Sequence, residues 1–173
     1  MKTKQFIILF VALMLPCLVM AQSASKSIFD KYADKENFDS VIISGELFKL
    51  FVNDDGKATV NNISIDTKGF DISAVRGVRL LNLNGKENLA LFTDFVKEID
   101  KAFKADKPKY TELMQINMNG EKLNVLALKD KSMINEIVVY RKNETDKGAT
   151  FIYIEGPFKE EAVNKVIKEA MKK

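Results

Sequence analysis

Histidine and tryptophan are absent from this chain, and cysteine occurs once and proline three times in its 173 residues. Without histidine there is no Ser-His-Asp or Cys-His catalytic set and no imidazole-bound metal. With Cys17 as the lone thiol there is no intrachain disulfide, so folding must rest on apolar burial. The eight glycines stand singly, and none forms the Gly-rich strand-to-helix turn of a phosphate-binding loop. A surplus of one charge is missing too. Twenty-seven basic residues face 24 acidic ones, a net +3, which makes no case for nucleic acid or an anionic membrane as partner.

What is present suits one globular domain: 46% hydrophobic, 29% charged and 9% aromatic residues. The N-terminus departs from that average. Lys2 and Lys4 precede an apolar run over residues 6–20, and Val19-Met20-Ala21 places small or moderate side chains at the −3 and −1 positions of a cut. This is the three-part pattern of a secretory signal peptide. The run falls short of the ~20 residues that span a bilayer, and Pro16 interrupts it. Cleavage is therefore expected between Ala21 and Gln22. That divides the chain into a leader, residues 1–21, and a single domain, residues 22–173, with no transmembrane span. Removing Lys2 and Lys4 leaves 25 basic and 24 acidic residues, a net +1. The alternative cut, before a lipidated Cys17, needs a small residue where Pro16 stands. The expected location is exported, periplasmic or associated with the outer envelope, and soluble.

The domain reads as α+β. Residues 25–33 suit a short helix, residues 38–44 a strand rich in β-branched side chains, and residues 46–52 a second helix. Asn53-Asp54-Asp55-Gly56 is a turn signal, followed by a polar stretch with short strand potential at 63–65. Residues 73–83 read as a strand. Leu89, Phe92, Val96, Ile99 and Phe103 then recur at spacings of 3, 4, 3 and 4, the stripe of an amphipathic helix over 87–104. Four strand-like runs follow at 111–118, 122–128, 134–141 and 149–155. Asn119-Gly120 between the first two is a hairpin signal. The other links are too short for the crossover that parallel pairing needs, which predicts an antiparallel meander. A last helix is expected from Pro157, with Phe158, Ala162, Val166 and Ala170 every four residues. The expected architecture is a mainly antiparallel sheet, its last four strands a meander, with helices packed on one face.

Several of these segments together resemble a bacterial family of exported domains, domain-of-unknown-function family 4252. The carrying segments are Phe29-Asp30-Lys31-Tyr32, Tyr110 with Glu112-Leu113-Met114, and Asn119-Gly120-Glu121-Lys122. Ile134-Asn135-Glu136-Ile137-Val138-Val139 and Phe151-Ile152-Tyr153-Ile154-Glu155-Gly156 complete the set. The resemblance implies a small exported protein of a Gram-negative bacterium, often a lipoprotein, and brings no activity with it. Pro16 departs from the lipoprotein pattern.

Chemistry has few places to sit. Ser25-Lys26 and Lys131-Ser132 are the nearest Ser–Lys pairs, but sequence neighbours point in different directions. Asn53, Asp54, Asp55, Asn61, Asn62 and Asp66 form an oxygen-rich stretch whose spacing does not fit a twelve-residue calcium loop. Glu112, Glu136 and Glu155 are the acids placed in or beside strands. Alternation puts Glu136 with Val138 and Tyr140, and Glu112 with Met114, Ile116 and Met118. Asp39-Ser40-Val41 matches a short O-glycosylation pattern, so Ser40 is a candidate position. No catalytic, cofactor-binding or metal-binding residue is assigned, and no cofactor is expected. The expected function is a non-enzymatic binding or interaction module of the cell envelope, taking an unknown protein or small ligand. Its expected contact surface is Met114, Ile116 and Met118 with Val138 and Tyr140 on one sheet face. The alternative is a carboxylate-dependent hydrolase or lyase. The leader can be tested directly: the exported protein should have an intact mass beginning at Gln22, whereas a mass that retains Cys17 with acyl chains overturns the assignment.

Overall fold

The computed structural model describes residues 23–53, 56–60, 63–66, 71–84, 86, 88–105 and 110–170. The leader lies outside these residues, as do Asp54, Asp55, Asn61 and Asn62 of the oxygen-rich stretch. In chain order the elements are α1 (Ala24–Tyr32), β1 (Phe38–Ser44), α2 (Gly45–Phe51), β2 (Lys57–Val60), β3 (Ile63–Asp66) and a 3-10 turn (Ile72–Ala74). Then come β4 (Gly77–Asn84), α3 (Leu89–Lys104), β5 (Tyr110–Met118), β6 (Glu121–Asp130), β7 (Met133–Asn143), β8 (Gly148–Lys159) and α4 (Glu160–Ala170). No helix among the described residues is long and apolar enough to cross a membrane.

Six strands form one sheet in the order β1-β4-β8-β7-β6-β5, and every neighbouring pair is antiparallel. β5 to β8 are therefore the expected meander. Asn119 and Gly120 both have positive φ, 51° and 80°, the conformation a tight two-residue hairpin turn requires. β4 then pairs on the far side of β8, and β1 on β4. β2 and β3 form a separate two-stranded ribbon. β2 falls within a stretch that reads as polar loop.

Local chemistry sets the helix starts. Ser23, Ser44 and Asn88 cap α1, α2 and α3, each accepting a backbone N–H of the first turn. α4 begins with Glu160 and Glu161 and has Lys168 in its last turn, which suits the helix dipole. At the sharp β1–α2 corner the chain runs against the backbone after the 3-10 turn. A Cβ at Gly45 would stand 2.0 Å from the Val75 carbonyl oxygen, so only glycine fits.

Two apolar layers flank the sheet. On the first face α1 and α3 bury Phe29, Tyr32, Phe92, Phe95 and Ile99 against Leu81, Val138, Tyr140, Phe151 and Tyr153. On the second face Phe48 of α2, Val75 and Val163 of α4 pack with Val78, Ile137, Ile152, Ile154 and Phe158. The α+β class and the meander are as read from the sequence. The helices, however, are divided between the faces rather than gathered on one, because β8 is apolar on both sides.

Two boundaries and one buried stripe also differ. The segment read as a strand from residue 73 begins instead with the 3-10 turn, since Asp71 accepts the N–H and hydroxyl of Ser73 and stabilises a local turn. Pro157 does not start the last helix; β8 continues through it to Lys159. Beyond Glu155 β8 pairs with β7 alone and passes a register shift, where a missing N–H is tolerated. In α3, Phe95 is buried although it lies outside the five-residue stripe, and Leu89 at the stripe's start is exposed. Phe92 lies deep in the first-face layer. Phe92→Ala is expected to cost about 3–5 kcal/mol in denaturant unfolding, against under about 0.5 kcal/mol for the exposed Leu50→Ala.

Candidate functional site

Pairing registers lay Tyr110, Leu128, Glu136 and Glu155 side by side across β5, β6, β7 and β8. All four belong to the first face. The N-terminal turn of α1 crosses above this row and presses Ser25 onto it. Glu136 is 8% exposed and Ser25 fully buried. The Tyr110 hydroxyl donates to Glu136 Oε2 at 2.9 Å, the Ser25 hydroxyl donates to the same oxygen, and the two hydroxyls lie 3.0 Å apart.

The two neighbouring carboxylates are treated differently. Glu155 Oε1 accepts from Arg79 Nη1 at 2.8 Å, and the guanidinium lies over the Tyr153 ring, 5.2 Å from its centroid. Glu136 forms no ion pair among the described residues and is held by hydroxyls alone. A buried carboxylate without a cation costs several kcal/mol unless hydrogen bonds satisfy it, and Ser25 and Tyr110 meet part of that need. Burial, reinforced by the Glu136 carboxylate, raises the Tyr110 phenol well above its usual range. Tyr153 is raised by burial as well, with Arg79 opposing and Glu155 and Glu136 adding to the shift. The hydroxyls of Tyr140 and Tyr153 have no hydrogen-bond partner among the described residues.

This pair of acids is what a carboxylate enzyme would be built from, yet Glu136 is buried and only Glu155 is partly exposed. α1 covers Glu136, and neither of two surface grooves, of about 290 and 710 Å3, is lined by Glu136 or Glu155. The larger groove lies between α1 and α3, where Glu98 accepts from Tyr32 Oη at 2.7 Å and from Lys31. The Ser–Lys neighbours do not meet: Ser25 turns to Glu136, and Lys26 reaches Asp30 at 2.6 Å. Ser40 is exposed on β1.

The expected contact set is split between the two faces. Val138 and Tyr140 are buried in the first-face layer, under 3% exposed. A bulge between Glu112 and Met114 adds a residue at Leu113, so the alternation changes face there. Glu112 then pairs with Leu126 on the first face, while Met114, Ile116 and Met118 pair with Val125, Leu123 and Glu121 on the second. The grouping of Glu112 with those three residues is corrected for the same reason. Ile116 and Met118 are 44% and 65% exposed, and Met114, Leu123 and Val139 beside them are half-buried. α2 and α4 pack at the other end of this face, so among the described residues no helix covers this end. Sequence reasoning found Glu136 but missed Ser25 and Tyr110, which lie 111 and 26 residues away from it. No local pattern signals such a contact.

The tyrosines give a measurable consequence. Burial raises all four, Tyr32, Tyr110, Tyr140 and Tyr153, well above the ordinary phenol value near 10. A raised folded-state pKa means that the unfolded chain loses these protons first. Their stabilising contribution is thus complete below about pH 10 and lost as pH rises beyond it. Ultraviolet titration should show no phenolate near pH 10. Absorbance should instead rise together with loss of helical circular dichroism at higher pH; a separate step near pH 10 in the folded protein contradicts this.

No curated protein and no solved structure matches the chain. A family model does, from Tyr32 at the end of α1 to residue 166 within α4, so it takes in the whole six-stranded sheet. Over residues 32–166, well beyond half its length, the chain matches and belongs to the family described as Domain of unknown function (DUF4252).

Proposed function

We propose that this chain is an exported, non-enzymatic binding module of the cell envelope, and that it takes a protein partner on the bare end of its second sheet face. The observation that carries the reading is the exposure of Ile116 and Met118 beside half-buried Met114, Leu123 and Val139 on one continuous surface. A flat strand surface of this kind suits the apolar core of a protein interface, whereas a small molecule needs a concave pocket. The exposed Arg141–Glu121 ion pair borders it and supplies the polar rim that such interfaces have. Export rests on the pattern of residues 1–21.

The rival reading, a hydrolase or lyase using Glu136 and Glu155, draws on their adjacency across β7 and β8. Burial of Glu136 under α1 counts against it, because substrate would have to displace the helix. Affinity capture from envelopes of the producing cell tests the binding reading. The tagged wild-type chain should retain a partner that the Ile116→Asp chain loses while keeping its melting temperature. Equal capture by both, or none by either, overturns it.

A further inference from the structure

β5 is a terminal strand of the sheet, and most natural edges of this kind are guarded by charge, proline or a bulge. Here the bulge guards only the first half. Between it and the Asn119-Gly120 turn lies an unbroken segment, residues 114–118, paired among the described residues with β6 on one side only. Its sequence is Met-Gln-Ile-Asn-Met, with no charge and no proline. Gln115, Ile116, Asn117 and Met118 are all exposed.

The segment is chemically symmetric about Ile116. Placed antiparallel to itself, it sets Ile116 against Ile116, each Met114 against Met118, and each Gln115 against Asn117. The three apolar positions all face the second side of the sheet, and the two amides the first. The register is bounded as well: the bulge ends it on one side and the hairpin turn on the other, at equal distance from Ile116. β1, the opposite edge, lacks this property. About Val41 it would set Ser40 against Ile42 and Asp39 against the buried Ile43.

We propose that two copies of this chain pair antiparallel through β5, with Ile116 on the two-fold axis, extending the six-stranded sheet across both subunits. Such a contact is isologous, so each copy supplies the same residues. Ladder hydrogen bonds would satisfy the edge, and the bare second-face strips of the two copies would join into one surface. A five-residue pairing is small beside the roughly 1,600 Å2 of a standard interface, so the dimer exchanges with monomer on dilution. This inference rests on the binding reading only for residues 114, 116 and 118, and names a second copy as the occupant of the edge.

The amide positions provide a test that leaves those apolar residues untouched. In the dimer, residue 115 of one copy faces residue 117 of the other, twice. Gln115→Glu with Asn117→Glu places like charges at both contacts. Gln115→Lys with Asn117→Glu places opposite charges there. Both variants carry glutamate at 117, beside Lys122 of the same chain, and differ at one exposed position. Sedimentation velocity on chains purified from the producing cell should show wild-type dimer that dissociates on dilution. The like-charge variant should dissociate at least roughly tenfold more readily than the opposite-charge variant. Wild-type protein that stays monomeric at its highest soluble concentration overturns the proposal, as do equal dissociation constants for the two variants. The envelope-capture result can fail while this one stands, and the reverse, so the two readings are separable.

Discussion

β8 has apolar side chains on both of its faces, and that single property organises the molecule. Phe151 and Tyr153 point to one side, Ile152 and Ile154 to the other, and all four are buried. A strand of this composition cannot lie at a sheet edge or against water. It takes β7 and β4 as its two neighbours and requires a layer on each face. α1 and α3 supply one layer in full. α2, the 3-10 turn and α4 supply the other only where Ile154, Ile137 and Val78 need covering. The bare end of the second face is thus the remainder of an incomplete layer, with side chains toward the hairpin turns that no helix reaches among the described residues.

The buried Glu136 is a different kind of feature, because apolar packing does not require it. It occupies the place in the first-face layer where α1 meets the sheet, and two hydroxyls are spent on satisfying it. Its neighbour Glu155 already has Arg79. The arrangement ties the start of α1 to β5 and β7 by directional bonds, which apolar contact alone would leave free to slide. A sealed polar group of this sort specifies an orientation, at some expense in stability. That is consistent with a positioning role for Glu136.

The bulge at Leu113 decides how the site reads. Without it, strict alternation would leave Met114, Ile116 and Met118 on the face opposite the one they occupy. With it, β5 carries its tyrosine into the first-face layer at one end and its methionines out over the second face at the other. The same irregularity confines the regular, uncharged part of the edge to five residues. One inserted residue therefore controls which face Met114, Ile116 and Met118 occupy and how much of the edge is open to pairing.

Much of the fold was legible because it depends on local patterns. The 3-4 spacing in α3, the Asn119-Gly120 turn and the short links between the last four strands each act within a few residues; the turn and the links appear as read, and α3 forms with Phe95 buried in place of Leu89. The family resemblance was also legible, since ordered strand and turn segments survive in sequence. What the sequence could not express is adjacency between distant residues and the phase of a strand after an irregularity. Ser25, Tyr110 and Glu136 meet only once β5, β6 and β7 are in register and α1 has docked. The placement of Ile116 and Met118 on the second face turns on one bulge whose backbone leaves no composition signal, and Val138 and Tyr140 are buried because α1 and α3 dock over the first face. Periodicity determined the elements, and the pairing register, a cooperative property of the whole sheet, decided which faces they present.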